Sequence, residues 1–184
     1  MITSYRSLWF IVGIICPVYF GSIAAHADNV ARLEIVQRVS VSLADAIETV
    51  LGSFPGYAVA GRLKEEDGMF YYEVGLVSDA TQVEVYIHPA NGLIIGSESK
   101  RFNALRLQRR WKARLNVVSH SALTVTDVMK IAYQRASGRI LEIDLKKRRG
   151  EYIYRVVICE GRTEHNIDIN AYSGEVVGHE ILII

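Results

Sequence analysis

The sequence contains little cysteine, and this limits how the fold can be held together. Its 184 residues include two cysteines, Cys16 and Cys159. Cys16 lies in an N-terminal apolar run with the form of a leader, so the mature chain keeps Cys159 alone. An intramolecular disulfide is then excluded, and the core must provide the stability. We expect the remaining thiol to be packed or at a strand edge rather than catalytic, because the sequence places no histidine near it.

The chain also lacks an excess of charge of either sign. Lys and Arg together number 21, and Asp and Glu together number 20. Removal of a leader that contains Arg6 makes the numbers of basic and acidic residues equal. A neutral exported protein is not expected to have nucleic acid as its partner.

Motifs that carry enzymatic chemistry are missing as well. The sequence contains no HExxH, GxSxG, P-loop or GxGxxG motif. His179-Glu180 is followed by an apolar tripeptide and no second histidine, which excludes a metalloprotease of the HExxH type. His165 and Asp168 fall on opposite faces of one predicted strand, so they cannot both point at one ion. We therefore expect no catalytic residue, no metal and no cofactor.

The first 27 residues have the form of a secretory signal peptide. Arg6 supplies the positive start, residues 8–20 form an apolar run, and Ala25-His26-Ala27 is a small-x-small cleavage site. The run is shorter than the roughly 20 residues that a membrane span needs, which disfavours an uncleaved anchor. We expect cleavage after Ala27 and a periplasmic or secreted protein.

One pattern occurs twice along the chain. Residues 68–92 read GMFYYEVGLVSDATQVEVYIHPANG, and residues 150–174 read GEYIYRVVICEGRTEHNIDINAYSG. The offset is 82 residues throughout, from Gly68 to Gly150, with no insertion. Such a fixed offset through strand, turn and strand indicates an internal duplication.

A short amphipathic helix is predicted ahead of each repeated stretch. Ser42 with Asp45, and Thr124 with Asp127, are typical of helix N-termini. The apolar residues that follow are spaced to form one stripe on a helix. They are Leu43, Ala46, Ile47, Val50, Leu51 and Phe54 in the first copy, and Val125, Val128, Met129, Ala132, Tyr133 and Ala136 in the second.

These patterns predict an α+β protein made of two tandem units, each with one helix packed on an antiparallel β-meander. Residues 28–40 form a lead-in, 41–96 the first unit, 97–122 a basic joint and 123–184 the second unit. Strands are predicted at 57–63, 69–77, 82–87, 93–95, 139–145, 152–159, 165–169 and 175–183. The apolar end, 181–184, is expected to be buried as an edge or central strand. The two sheets could join edge to edge or face each other across the joint.

The joint concentrates positive charge. Its core reads KRFNALRLQRRWKARL, with Ala104, Leu107, Trp111 and Leu115 near helical spacing. Three interpretations remain open: a helix that neutralises the acidic first unit, a solvated linker, or a basic amphipathic surface for an anionic membrane or an acidic protein. The candidate contact residues here are Arg106, Arg109, Arg110, Trp111 and Arg114.

A second candidate surface lies on the predicted sheet of the first unit. Tyr72 faces the core with the aliphatic residues, so Tyr71 and Tyr86 fall on the other face together with Glu73 and Glu84. If that face is not covered by the second unit, it is an aromatic and acidic surface suited to a protein partner.

The repeated motifs resemble the PepSY domain family. They are SLADAIETVLGSFPG, DGMFYYEV and VEVYIHPANGLIIG in the first copy, and TVTDVMKIAYQRASG, GEYIYRVV and HNIDINAYSGEVVG in the second. Together the copies cover nearly all of the mature chain. The family takes its name from propeptides of secreted metalloproteases, where the domain is thought to inhibit. The resemblance implies a protein without enzymatic activity that inhibits or modulates an extracytoplasmic partner, such as a protease or a sensor ectodomain.

Overall fold

A computed structural model describes residues 39–79, 81–100 and 105–183 of the chain. The predicted signal peptide and nearly all of the lead-in lie outside these residues. No helix in the described part of the chain is long and apolar enough to cross a bilayer.

Two of the three described helices begin as the sequence predicts. They are α1 (Leu43–Ser53) and α3 (Val125–Tyr133), and α2 (Leu105–His120) forms most of the joint. At α1, the Ser42 hydroxyl accepts a hydrogen bond from the Asp45 amide and the Asp45 carboxylate accepts one from the Ser42 amide. Thr124 and Asp127 repeat this capping box at α3. Both boxes satisfy amides that the first helical turn leaves without a partner.

Eight strands follow the predicted order, and several are longer than predicted. They are β1 (Tyr57–Glu66), β2 (Met69–Val77), β3 (Gln82–Ile87), β4 (Ile94–Lys100), β5 (Arg139–Arg148), β6 (Glu151–Glu160), β7 (Thr163–Asn170) and β8 (Val176–Ile183). The largest difference is at β4, which continues through Lys100 into the segment predicted as the start of the joint. Pairing with β3 through Gln82 explains the extension.

The two units share one antiparallel sheet, in the order β4-β3-β2-β1-β5-β6-β7-β8. This resolves the open question in favour of edge-to-edge joining. The seam consists of three residue pairs between β1 and β5: Ala60 with Asp144, Gly61 with Ile143, and Arg62 with Glu142.

The seam is symmetric with respect to the duplication. Gly61 lies opposite Ile143, the residue that occupies its own position in the second unit. Ala60 lies opposite Asp144, the equivalent of Arg62. The units are therefore related by a pseudo-two-fold axis at Gly61 and Ile143, and their helices pack on the same face of the sheet.

The core lies between the sheet and its helices, and Val117 and Val118 of α2 belong to it with the residues of the two capped helices. Leu43 and Ile47 of α1 approach Gly61 so closely that a Cβ there would meet them at 3.1 and 3.0 Å. At equivalent places of the two stripes, Leu51 is 39% exposed and Tyr133 46%, so the buried part of each stripe is narrower than predicted.

The apolar end of the chain is not buried as predicted. β8 is an edge strand of the sheet, and Ile183 is 86% exposed. Ile181 and Leu182 are exposed as well. A strand with one neighbour has only part of its surface covered, because nothing in the described residues packs on its far side.

Candidate functional site

The face of the sheet opposite α1, here called the outer face, carries the first candidate surface. Gly61 and Leu63 of β1 point towards α1, so Arg62 points away from it. The register places Arg62 opposite Glu73, and Glu73 opposite Tyr86. Directly opposed residues of an antiparallel pair share a face, so these side chains lie together on the outer face.

Tyr71 and Tyr86 form an aromatic pair there, as the alternation predicts. Their ring centroids are 5.5 Å apart and the ring planes meet at 86°, the edge-to-face arrangement that aromatic quadrupoles favour. The Tyr71 hydroxyl donates to Glu66 at 2.8 Å and the Tyr86 hydroxyl to Glu98 at 3.4 Å. The hydrogen bond to Glu66 raises the pKa of Tyr71 to about 12. Both rings are half-buried, and each is held by the hydrogen bond of its hydroxyl and by its contact with the other ring.

Glu73, the predicted contact residue of β2, is nearly buried. It is 6% exposed, and its two carboxylate oxygens bind Arg62 at 3.0 Å and Lys64 at 2.8 Å. Burial by itself raises the pKa of Glu73, but the Lys64 hydrogen bond and the Arg62 charge together hold that pKa below its usual value. Glu73 therefore fixes the positions of the Arg62 and Lys64 side chains on the outer face. Glu84 is half-buried on β3, opposite Gly75 and Glu98.

The second unit places an ion pair where the first has Glu73 and Tyr86. Arg155 on β6 lies opposite Asp168 on β7 and donates two hydrogen bonds to it, at 2.7 and 2.8 Å. Arg148 also pairs with Asp168, which is 4% exposed. Burial raises the pKa of Asp168, and the two guanidinium groups outweigh it and lower that pKa. The aromatic pair belongs to the first unit, since Ile153 stands at the position of Tyr71.

The basic candidates on α2 divide into exposed and packed residues. Arg109 and Arg110 are exposed, whereas Trp111 is half-buried against the core. Its indole nitrogen is buried without a hydrogen-bond partner in the described part of the chain. Arg114 binds Asp144 of the second unit at 2.8 Å, not a carboxylate of the acidic first unit. The side chain of Arg106 lies outside the described residues.

A groove of about 560 Å³ opens between α2 and the β5–β6 hairpin, and it is here called the basic groove. Among the described residues that line it, Asp144 is the one carboxylate, and Lys147 lies 5.6 Å from the centre of the Tyr152 ring. The lining residues are Arg109, Arg110, Ala113, Arg114, Asp144, Lys146, Lys147 and Tyr152. Three of the predicted α2 residues thus meet two lysines from a distant part of the chain.

The sequence reasoning missed the lysines of this groove. Residues 146–149 read KKRR, a visible run of positive charge, but they fall in the turn expected between the strands predicted at 139–145 and 152–159. In the structure β5 continues through Arg148, and the turn is at Arg149 and Gly150. Burial, and then the charge of Arg155, lower the pKa of Lys146, although the carboxylates of Asp144, Glu142 and Asp168 act in the opposite direction.

Two further groups of reactive residue types lie outside these surfaces. Cys159 is 5% exposed and belongs to the core cluster. His165 Nδ1 and His179 Nε2 are 3.0 Å apart on neighbouring strands. No group of three or more metal-ligating side chains is found within the described residues.

The family profile described as "Peptidase propeptide and YPEB domain" (PepSY) matches residues 40–98 and 122–180, well over half of the chain. No curated protein shows significant similarity to the chain.

Two solved structures are similar to part of the chain. A crystal structure of a presumed lipoprotein from Clostridium difficile 630 is 19% identical, covers 78% of this chain and 95% of its own, and has a TM-score of 0.48. A structure of a presumed periplasmic protein from Bacteroides eggerthii DSM 20697 is 10% identical, covers 78% of this chain and 91% of its own, and has a TM-score of 0.27.

Proposed function

We infer a function for the chain from its family, since it belongs to the peptidase propeptide and YPEB domain (PepSY) family. We propose that it is an exported protein-binding module that inhibits or modulates a protease or another extracytoplasmic protein. Membership of the family supports a non-catalytic, extracytoplasmic module. What we propose beyond this is that the partner is a protease or a similar protein, that binding inhibits or modulates it, and that a particular surface makes the contact.

The observation that supports this function most directly is the pair formed by Tyr71 and Tyr86. Both rings are half-exposed on the outer face, and their hydroxyls are held by Glu66 and Glu98. Tyrosine is enriched among the residues that dominate protein interfaces. Rings that are already fixed lose little conformational entropy on binding, so more of the contact energy becomes affinity.

A capture experiment tests the proposal. The purified protein is immobilised, incubated with extracytoplasmic extract of its own cells, and the retained proteins are identified by mass spectrometry. The same is done with the double variant Tyr71→Ala/Tyr86→Ala. The matched control is Tyr133→Ala/Tyr172→Ala, which removes two exposed tyrosines of the second unit.

The expected result is a protein retained by the wild type and by the control but lost from the Tyr71/Tyr86 variant, with roughly tenfold weaker binding or more. Addition of the wild-type protein to the purified partner should change its proteolytic or signalling activity. Equal retention by all three proteins, or no retained protein and no effect on proteolysis, would overturn the proposal.

A further inference from the structure

In the part of the chain that the structure describes, the basic groove brings together five cationic side chains and a single carboxylate. Arg109, Arg110 and Arg114 come from α2, and Lys146 and Lys147 from β5. The carboxylate is that of Asp144, and its Oδ1 already accepts a hydrogen bond from Arg114 at 2.8 Å. Like charges held together repel one another, so an arrangement of this kind gains stability when an anion neutralises it.

The groove is recessed between a helix and a hairpin, and this shape limits what can occupy it. Its volume of about 560 Å³ is within the range of sites that enclose a small molecule or a few side chains. Tyr152 and Ala113 line it beside the charges, so apolar surface is available to the stem of a bound side chain. Arginine presents a planar fork that suits carboxylates bidentately.

A membrane surface fits this groove less well than a peptide does. A helix that binds a bilayer turns apolar side chains towards the lipid. In the described part of α2 the large apolar residues are instead buried or half-buried against the core, among them Trp111, Leu115 and Val117. The exposed residues there are polar or charged.

We propose that the basic groove binds an acidic segment of the protein partner, a short extended stretch of Asp and Glu side chains lying between α2 and the β5–β6 hairpin. This rests on the proposed function, because it assigns the chemistry of the partner that the module recognises. The groove and the Tyr71–Tyr86 pair share no residue, so each surface can be tested alone.

The test measures binding of a fluorescein-labelled hexaglutamate peptide to the purified protein by fluorescence anisotropy. A labelled hexalysine peptide and vesicles with and without anionic phosphatidylglycerol are measured alongside. The variant Arg109→Glu/Arg110→Glu reverses two exposed charges of the groove. The control Arg135→Glu/Lys130→Glu reverses two exposed charges that do not line it.

Hexaglutamate is expected to bind the wild type and the control with the same affinity, and the groove variant with an affinity lower by roughly tenfold or more. Binding to the wild type should weaken as salt is added. Absence of hexaglutamate binding, equal binding by both variants, or binding to anionic vesicles alone would overturn the assignment of the groove. The capture experiment with Tyr71 and Tyr86 would remain valid in each of these cases, so failure of the groove and failure of the proposed function are distinguished.

Discussion

Arg155 and Asp168 lie opposite each other on β6 and β7, and two hydrogen bonds of 2.7 and 2.8 Å join their side chains. The same two places in the first unit hold Glu73 and Tyr86. The second repeat therefore fills both places with one nearly buried ion pair, while the first pairs Glu73 with Arg62 and Lys64 and leaves a half-exposed tyrosine beside it. The two repeats share one backbone arrangement but carry different side chains on the outer face.

Removal of Arg155 should destabilise the fold. The variant Arg155→Met leaves the Asp168 carboxylate, which is 4% exposed, with Arg148 as its remaining charged partner. We expect a loss of about 2 kcal/mol in the free energy of unfolding, measured by urea denaturation at pH 7, because an incompletely compensated buried charge is costly. Arg135→Met, at an exposed arginine, should change it by less than about 0.5 kcal/mol. Equal stability of the two variants would contradict this account.

The ion pairs of Glu73 should make stability depend on pH. Its pKa is held below the usual value, so its charge stabilises the fold above the unfolded pKa of about 4.3, and this contribution is lost as the pH falls through the lower folded value. Glu73→Gln should therefore cost about 1 kcal/mol at pH 7 and less near pH 2.5. Urea unfolding at both values measures it.

The exposed carboxylate of Glu151 provides the comparison for this experiment. Glu151→Gln should differ little from the wild type at either pH, because it removes no buried ion pair. A cost of Glu73→Gln that is the same at both pH values would point to packing rather than charge.

The two capping boxes should contribute equally. Ser42→Ala and Thr124→Ala each remove a hydroxyl that accepts the N3 amide at 3.1 Å. Each substitution should lower the free energy of unfolding by about 1 kcal/mol. Thermal unfolding followed by circular dichroism measures both, with Ser40→Ala, an exposed serine before α1, as control. A marked inequality between the two would mean that the helices depend unequally on their caps.

Two glycines should respond in opposite directions to alanine. Gly138 has φ of +113°, and a Cβ there would overlap the carbonyl oxygen of Cys159. Gly138→Ala should therefore cost about 3 kcal/mol. Gly52 lies in α1 with nothing within 4 Å of an added Cβ, and Gly52→Ala should stabilise by up to about 1 kcal/mol. Urea unfolding compares them, and a stable Gly138→Ala protein would refute the steric argument.

Local structure was predictable because its signals are local. The Ser42 and Thr124 caps, the apolar stripes and the alternation of residues 69–77 each depend on side chains a few positions apart, and the structure confirms the helix starts and that strand. The duplication presents the pattern of each helix and strand a second time, so each prediction rests on two stretches of sequence. The start of α1 at Leu43 and of α3 at Val125 are accordingly correct to the residue.

Long-range relationships were not predictable from these patterns. The seam between β1 and β5 rests on three residue pairs, and no periodicity distinguishes an edge strand that pairs from one that does not. Glu73 falls on the outer face by alternation, but its burial depends on Arg62 and Lys64 from a neighbouring strand. The basic groove combines residues about 40 positions apart, such as Arg109 and Lys147.

The symmetric seam also suggests what an unduplicated unit would do. Such a unit would expose β1 as an open edge, and two copies could pair there in the register that now places Gly61 opposite Ile143. The present chain thus corresponds to a homodimer whose subunits have been fused. Fusion replaces association from dilute solution with an intramolecular event at high effective concentration, so the complete sheet forms however scarce the protein is. In a fused chain, a substitution on the outer face of one half leaves the other half unchanged, whereas in a homodimer both subunits would carry it.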